Sequence, residues 1–204
     1  MNDLMNRLNL MDCMDGMSQF PDKYFELAIV DPPYGIGRFG NRFKGNDKLN
    51  KWDIKPGEKY FIGLQRISKN QIVWGANNFT LPETEYFIIW DKMQTVDNFA
   101  SAEYAWTNVK NPAKVFRFSI HKHNQIDKIH PTQKPVNLYR WLLQNYAKKG
   151  DKILDTHVGS GSSIIACMEE GFNFCGFEID EDYYNAAQKR IKEFSDQLRL
   201  FVTA

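Results

Sequence analysis

The 204-residue chain predicts an α/β fold, a mostly parallel sheet with helices on both faces and one antiparallel hairpin. Short β-branched and aromatic runs alternate with stretches of helical periodicity. Four of the apolar runs end on an acid: Asp12, Asp31, Asp155 and Glu178. A Gly-Ser-Gly turn joins one of these runs to a helix. Ligands of open α/β sheets bind outside the carboxyl ends of the strands, so four acids at four strand ends predict one site.

NRLNLM (6–11) reads as a short strand ending at Asp12, and YFELAIV (24–30) as a strand ending at Asp31. A Gly-, Asn- and Lys-rich loop follows to about residue 55, then a helix from about Pro56 to Lys69. QIVWG (71–75) and EYFIIW (85–90) have the apolar, aromatic character of buried strands. SAEYAWTN and AKVFRFS, separated by the turn signal Asn111-Pro112, predict the antiparallel hairpin. Pro135 opens a helix with Val136, Tyr139, Leu142, Leu143 and Tyr146 on one face, closed by Lys148, Lys149 and Gly150. KILD (152–155) is a strand, GSSIIACMEEG a helix ending at Gly171, and FCGFEI (174–179) a strand. A last helix carries Tyr184, Ala187, Ile191, Phe194 and Leu198 along one side.

Composition narrows the class. No apolar run approaches the length of a membrane span, and the N-terminus lacks a basic-then-apolar signal pattern. Cys13, Cys167 and Cys175 show no C-x-x-C spacing, so a reduced, cytoplasmic protein without disulfides or structural zinc is expected. His121, His123 and His130 lack matching carboxylate or cysteine spacing, and no metal is expected. The net charge of +1 announces no partner, but local charge does. Residues 35–59 carry seven Lys/Arg against three acids, and 110–134 carry six against one. Glycines and Phe39, Phe43 and Trp52 interrupt the first of these runs, a pattern suited to phosphates and bases.

IVDPPYGIGR (29–38) is the most informative stretch. Pro32 and Pro33 cannot donate to a sheet, and the residue before a proline is held extended. The segment thus delivers the Asp31 carboxylate, free carbonyls and the Tyr34 ring to one fixed spot. DTHVGSGSS (155–163) places a glycine turn between strand and helix, where backbone can approach a ligand closely. It is neither a phosphate loop nor G-x-G-x-x-G, because no Gly-Lys-Ser/Thr follows and the third glycine position is Ile164. Glu178 ends the next strand, at the spacing of a carboxylate that accepts ribose hydroxyls.

MDC (11–13), DPPY (31–34), HPTQKP (130–135), DTHVGSGS (155–162) and FEID (177–180), in that order, resemble the motifs of amino-methylating DNA methyltransferases of the β arrangement. The resemblance covers nearly the whole chain. It implies a Rossmann-like, S-adenosylmethionine-dependent sheet over residues 1–204, circularly permuted so that the catalytic half precedes the cofactor half. The chain departs from the family at Thr156-His157, where Pro-Phe is more usual, and His157 then alters a cofactor contact. It is also short for the family, which leaves little room for a separate target-recognition domain. A homodimer, or surface borrowed from a partner, is therefore expected to help grip the target.

The resemblance implies a catalytic set of Asp31, Pro32, Pro33 and Tyr34. Asp31 and the Pro32 carbonyl accept both hydrogens of an exocyclic amine while Tyr34 stacks on a base taken out of the duplex. Glu178, with Ile179 beside it, holds the ribose, and Asp12 with the Cys13 backbone meets the adenine edge. Thr132, Gln133 and Lys134 surround the methionine end together with the turn Gly159, Ser160, Gly161 and Ser162, and Asp155 braces that turn. Double-stranded DNA is the implied partner, contacted by loops at about 35–59 and 110–131 through Arg38, Phe39, Arg42, Lys44, Lys48, Lys51 and Lys122. The expected reaction is site-specific methylation of adenine N6, as in restriction-modification systems, since the family tends to pair Asp-Pro-Pro-Tyr with adenine and Ser-Pro-Pro-Tyr with cytosine. Cytosine N4 is the nearest alternative. An amine on RNA or protein, and a non-catalytic binding module, are the others.

Overall fold

Every residue of the strand Phe25–Val30 is buried except Glu26, which is half-buried. Such a strand needs cover on both faces, and helices supply it. The computed structural model describes residues 2–35, 53–120 and 129–202. Its strands are β1 (Arg7–Leu10), β2 (Phe25–Val30), β3 (Ser68–Trp74), β4 (Phe87–Asp91), β5 (Ala102–Thr107), β6 (Lys114–Arg117), β7 (Lys152–Asp155) and β8 (Asn173–Glu178). Its α-helices are α1 (Cys13–Ser18), α2 (Glu58–Ile67), α3 (Val136–Tyr146), α4 (Ser162–Glu170) and α5 (Glu181–Val202). None is long and apolar enough to cross a membrane.

Alternation along β2 builds two cores. Leu27 and Ile29 join Leu138, Leu142, Ile164 and Ala187 of α3, α4 and α5. Ala28 and Val30 join Met17 of α1 and Tyr60, Leu64 and Ile67 of α2 on the opposite face. The spacing of Tyr60, Leu64 and Ile67 is a helical stripe, and α2 ends where the stripe does. There Ser68 Oγ donates to Leu64 O at 2.5 Å and Ser68 becomes the first residue of β3. The helix is thus shorter, and the strand longer, than Pro56–Lys69 and 71–75 predict. Likewise α3 stops at Tyr146, ahead of the lysines.

The eight strands form one sheet in the order β1-β8-β7-β2-β3-β5-β4-β6. Pairs β1/β8, β7/β8, β2/β7, β2/β3 and β4/β6 are parallel, while β3/β5 and β4/β5 are antiparallel. The expected hairpin of 101–108 with 113–119 is not formed. β5 lies between β3 and β4, and β6 pairs parallel to β4 on its far side. Ala105 and Trp106 of β5 are buried and take a partner on each edge, whereas β6 has the alternating half-burial of a sheet edge. Trp90 Nε1 donates to Phe118 O at 3.0 Å and ties that edge down. A short alternating strand carries no mark of which neighbour it will take, so the pairing was not readable locally.

Candidate active site

β1, β8, β7 and β2 are adjacent and parallel, so their carboxyl ends form one rim bearing Asp12, Glu178, Asp155 and Asp31. At the β7 end, Asp155 Oδ1 accepts from His157 N at 3.0 Å and Oδ2 from Ser163 Oγ at 2.5 Å. These bonds clamp the turn to the first turn of α4. Burial pushes the Asp155 carboxyl up to about 7, against the lowering effect of these two bonds. Gly159 lies at φ +53°, and a Cβ there would touch the His130 ring at 3.4 Å. Its N–H donates to Glu178 Oε2 at 2.8 Å, while Asp180 N donates to Oε1 at 2.9 Å. The Ile179 N–H also bonds this carboxylate, so of its four acceptor sites Glu178 keeps one for a ligand in the cleft.

The Asp31 carboxylate is held from two sides. Tyr34 Oη donates to Oδ1 at 2.6 Å, and the Lys134 ammonium, only 3% exposed, donates to Oδ2. Burial lowers the Lys134 pKa, but Asp31 and Glu103 outweigh it and the net direction is upward. The Tyr34 phenol is pushed well above its usual value, chiefly by burial and then by Asp31 and Glu103, so it stays a donor. Its ring lies against Gly75, where a Cβ would come within 2.1 Å of it. Gly75, at φ +65°, is therefore part of the site even though it contributes no side chain.

Asp31, Pro32, Pro33, Tyr34, Thr132, Gln133, Lys134, His157, Gly159, Ser160, Glu178 and Ile179 line one continuous cleft of about 800 Å³, part of it open to solvent. Asp155, Gly161 and Ser162 lie behind the wall rather than on it. Asp12 caps α1 by accepting from Met14 N at 2.6 Å, and the Cys13 thiol lies 4.0 Å from His157 Nε2. Burial, then Asp12, pushes that thiol up to about 12. Arg38, Phe39, Arg42, Lys44, Lys48, Lys51 and Lys122 lie outside the described residues. Among the described residues, no three His, Cys, Asp or Glu side chains gather as a metal site would require.

Sequence reading missed several wall residues: Asp53, His130, Tyr139, Val158 and Tyr183. Of these only His130, inside HPTQKP, and Val158, inside DTHVGSGS, carried a signal. His130 Nδ1 faces Thr132 Oγ1 at 3.0 Å, its ring meets Tyr183 edge-on at 4.3 Å, and burial drops its pKa to about 4. The unusual pair Thr156-His157 has a partner of its own. Tyr60 Oη lies 2.6 Å from Thr156 Oγ1, which lies 2.9 Å from His157 Nδ1. Thr156 Oγ1 thus bridges the buried Tyr60 phenol and the His157 ring. Burial holds His157 neutral, with a pKa near 4 despite an opposing pull from Asp12.

The N6_N4_Mtase family of DNA methylases matches residues 67–189, more than half of the chain. The chain belongs to that family. This methylase is 25% identical to the type II methyltransferase M2.MboI of Moraxella bovis, over 92% of its own length and 88% of the relative's. It is also 25% identical to the type II methyltransferase M.HpaI of Haemophilus parainfluenzae, over 91% and 74%. Among solved structures, the cytosine-N4-specific PvuII DNA methyltransferase superposes with a TM-score of 0.61 at 13% identity, covering 93% of the methylase and 89% of that chain. The M1.HpyAVI–SAM complex superposes with a TM-score of 0.57 at 20% identity, covering 90% and 98%. The mostly parallel sheet of the methylase is thus the methyltransferase fold, and the resemblance read from five short motifs holds at the level of family.

Proposed function

We propose that the methylase transfers a methyl group from S-adenosylmethionine to adenine N6 of double-stranded DNA. The observation that carries this reading is the single cleft joining Asp31 and Tyr34 to Gly159 and Glu178. A nucleoside donor suits the second pair: Glu178 keeps acceptor capacity for a ribose hydroxyl, and the positive-φ turn brings backbone close without a phosphate loop. His157 presents its neutral imidazole on the same wall. Bound there, the donor supplies an electrophilic methyl on a sulfonium centre.

The chain's own residues act on the nucleophile. An exocyclic amine on a base is a poor nucleophile because its lone pair is delocalised into the ring. Asp31 and the Pro32 carbonyl accept its hydrogens and draw the nitrogen toward tetrahedral geometry. Tyr34 and Lys134 occupy one site on each Asp31 oxygen and leave one on each for the amine. The fixed acceptors need no reorganisation as charge develops on nitrogen. A base must leave the duplex to reach this cleft.

Cytosine N4 presents the same amine, and the likeness to the cytosine-N4-specific PvuII enzyme favours it as the second reading. Incubation with labelled S-adenosylmethionine and mixed-sequence duplex DNA, followed by nucleoside analysis, separates the two. The expected product is N6-methyladenine. N4-methylcytosine in its place would reassign the base, and no labelled nucleoside would overturn the proposal.

A further inference from the structure

β5 is antiparallel to its neighbours and contributes none of the recognised motifs, yet it sends an acid against Lys134 of the cleft wall. Glu103 Oε1 pairs with Lys92 at 2.6 Å and Oε2 with Lys134 at 3.1 Å. Lys134 in turn pairs with Asp31, which accepts from Tyr34. The charges alternate along this row of Lys92, Glu103, Lys134 and Asp31, and they sum to zero, as a largely desolvated cluster requires. Each ammonium also faces an indole of the core: Lys92 lies 5.1 Å from the Trp90 ring centroid and Lys134 5.5 Å from that of Trp74. Burial alone would raise the Glu103 carboxyl, but Lys134 and Lys92 hold it down at about 2.

We infer that Glu103 is a positioning residue, which holds Lys134 at a fixed point so that the Asp31 carboxylate is aimed at the target amine. The inference rests on the reading of Asp31 as the amine acceptor. An ammonium between one carboxylate and an indole is free to slide over the carboxylate and occupy both of its oxygens. A second carboxylate on the far side prevents this. Lys134 then donates to Oδ2 only, and the second site on each oxygen stays open to the substrate. Without Glu103, Lys134 moves onto Asp31 and competes with the amine for acceptor sites.

The test compares Glu103→Gln with the double variant Glu103→Leu/Lys92→Met. The double variant removes one charge of each sign and leaves the Lys134–Asp31 pair balanced. Single-turnover methyl transfer, calorimetric affinity for S-adenosylmethionine and the melting temperature are measured for each. Glu103→Gln is expected to lower the transfer rate roughly 10- to 100-fold, the scale of misplacing a reacting group, with cofactor affinity within about twofold. In the double variant, the melting temperature recovers toward wild type while transfer stays slow. Transfer that recovers together with the melting temperature would reduce Glu103 to a fold-stabilising acid, and wild-type transfer in Glu103→Gln would overturn the inference outright. Wild-type enzyme that methylates nothing, or Asp31→Ala that still turns over, would instead sink the reading of Asp31.

Discussion

The two halves of the cleft are built differently. The wall that ends β7 and β8 is made of near neighbours and backbone: Asp155 clamps residues two and eight positions on, and Glu178 takes the N–H of Gly159, nineteen positions back. The wall that ends β2 is made of side chains from distant elements. Asp31 meets Lys134 across 103 residues, and Glu103 reaches Lys134 from a strand that runs against its neighbours. One half depends on chain conformation, the other on tertiary packing, and the two should fail separately.

The sharpest break is Asp31→Ala, which should reduce transfer by at least about a thousandfold, because it removes the acceptor aimed at the developing charge. Cofactor affinity, measured by calorimetry, should stay within roughly tenfold, the scale of one lost peripheral contact. Gly159→Val is the converse. A β-branched residue at φ +53° is strained by about 1–3 kcal/mol and crowds His130, so cofactor affinity should fall first, by roughly tenfold to a hundredfold.

Gly75→Ala tests whether the β2 half can be broken through a residue with no functional group. Its methyl would occupy the place of the Tyr34 ring, so transfer should drop about tenfold or more with cofactor affinity unchanged. An equal loss of both would show that the halves are not separable.

His157→Phe should have the smallest effect, a few-fold change in cofactor affinity. Its clearer signature is in stability. The folded-state pKa of His157, about 4, lies below the ordinary value of 6.5. The unfolded chain therefore takes up more protons in that window, and His157 costs stability as the pH falls from 6.5 to 4. Asp155, raised from 3.8 to about 7, acts oppositely and loses its contribution as pH rises through that range. Removing His157 should thus shift the balance, so that the melting temperature of the variant, relative to wild type, rises as the solution is acidified. A pH-independent difference would mean that His157 is not held neutral.

The same contrast explains what could be read from the sequence. Asp155, Gly159, Gly161 and Glu178 act within one strand–turn–helix–strand unit, and their spacing announces them. Asp31 was legible because two prolines and an aromatic ring make its strand tip unusual. Glu103 sits near the exposed start of a short strand and looks like any surface acid, and Gly75 looks like any turn. Their roles exist only once β5 is inserted beside β3, and that insertion is also where the expected hairpin gave way.

Among the described residues β1 has β8 as its sheet partner, and the two are stitched at their start by Asn6, whose Oδ1 accepts from Phe174 N, 168 residues away. During synthesis at about 5–20 residues per second, β1 therefore waits roughly 10 to 30 s before its partner emerges. Until then Leu8 has no sheet to cover it, and the rim of four acids lacks Glu178 as well as a seat for Asp12. The β2 half can condense on β3 and α2 during that interval, whereas the nucleoside wall closes only as the last strand is made. Nascent chains should accordingly acquire protease resistance in the β2 half before they acquire affinity for the methyl donor.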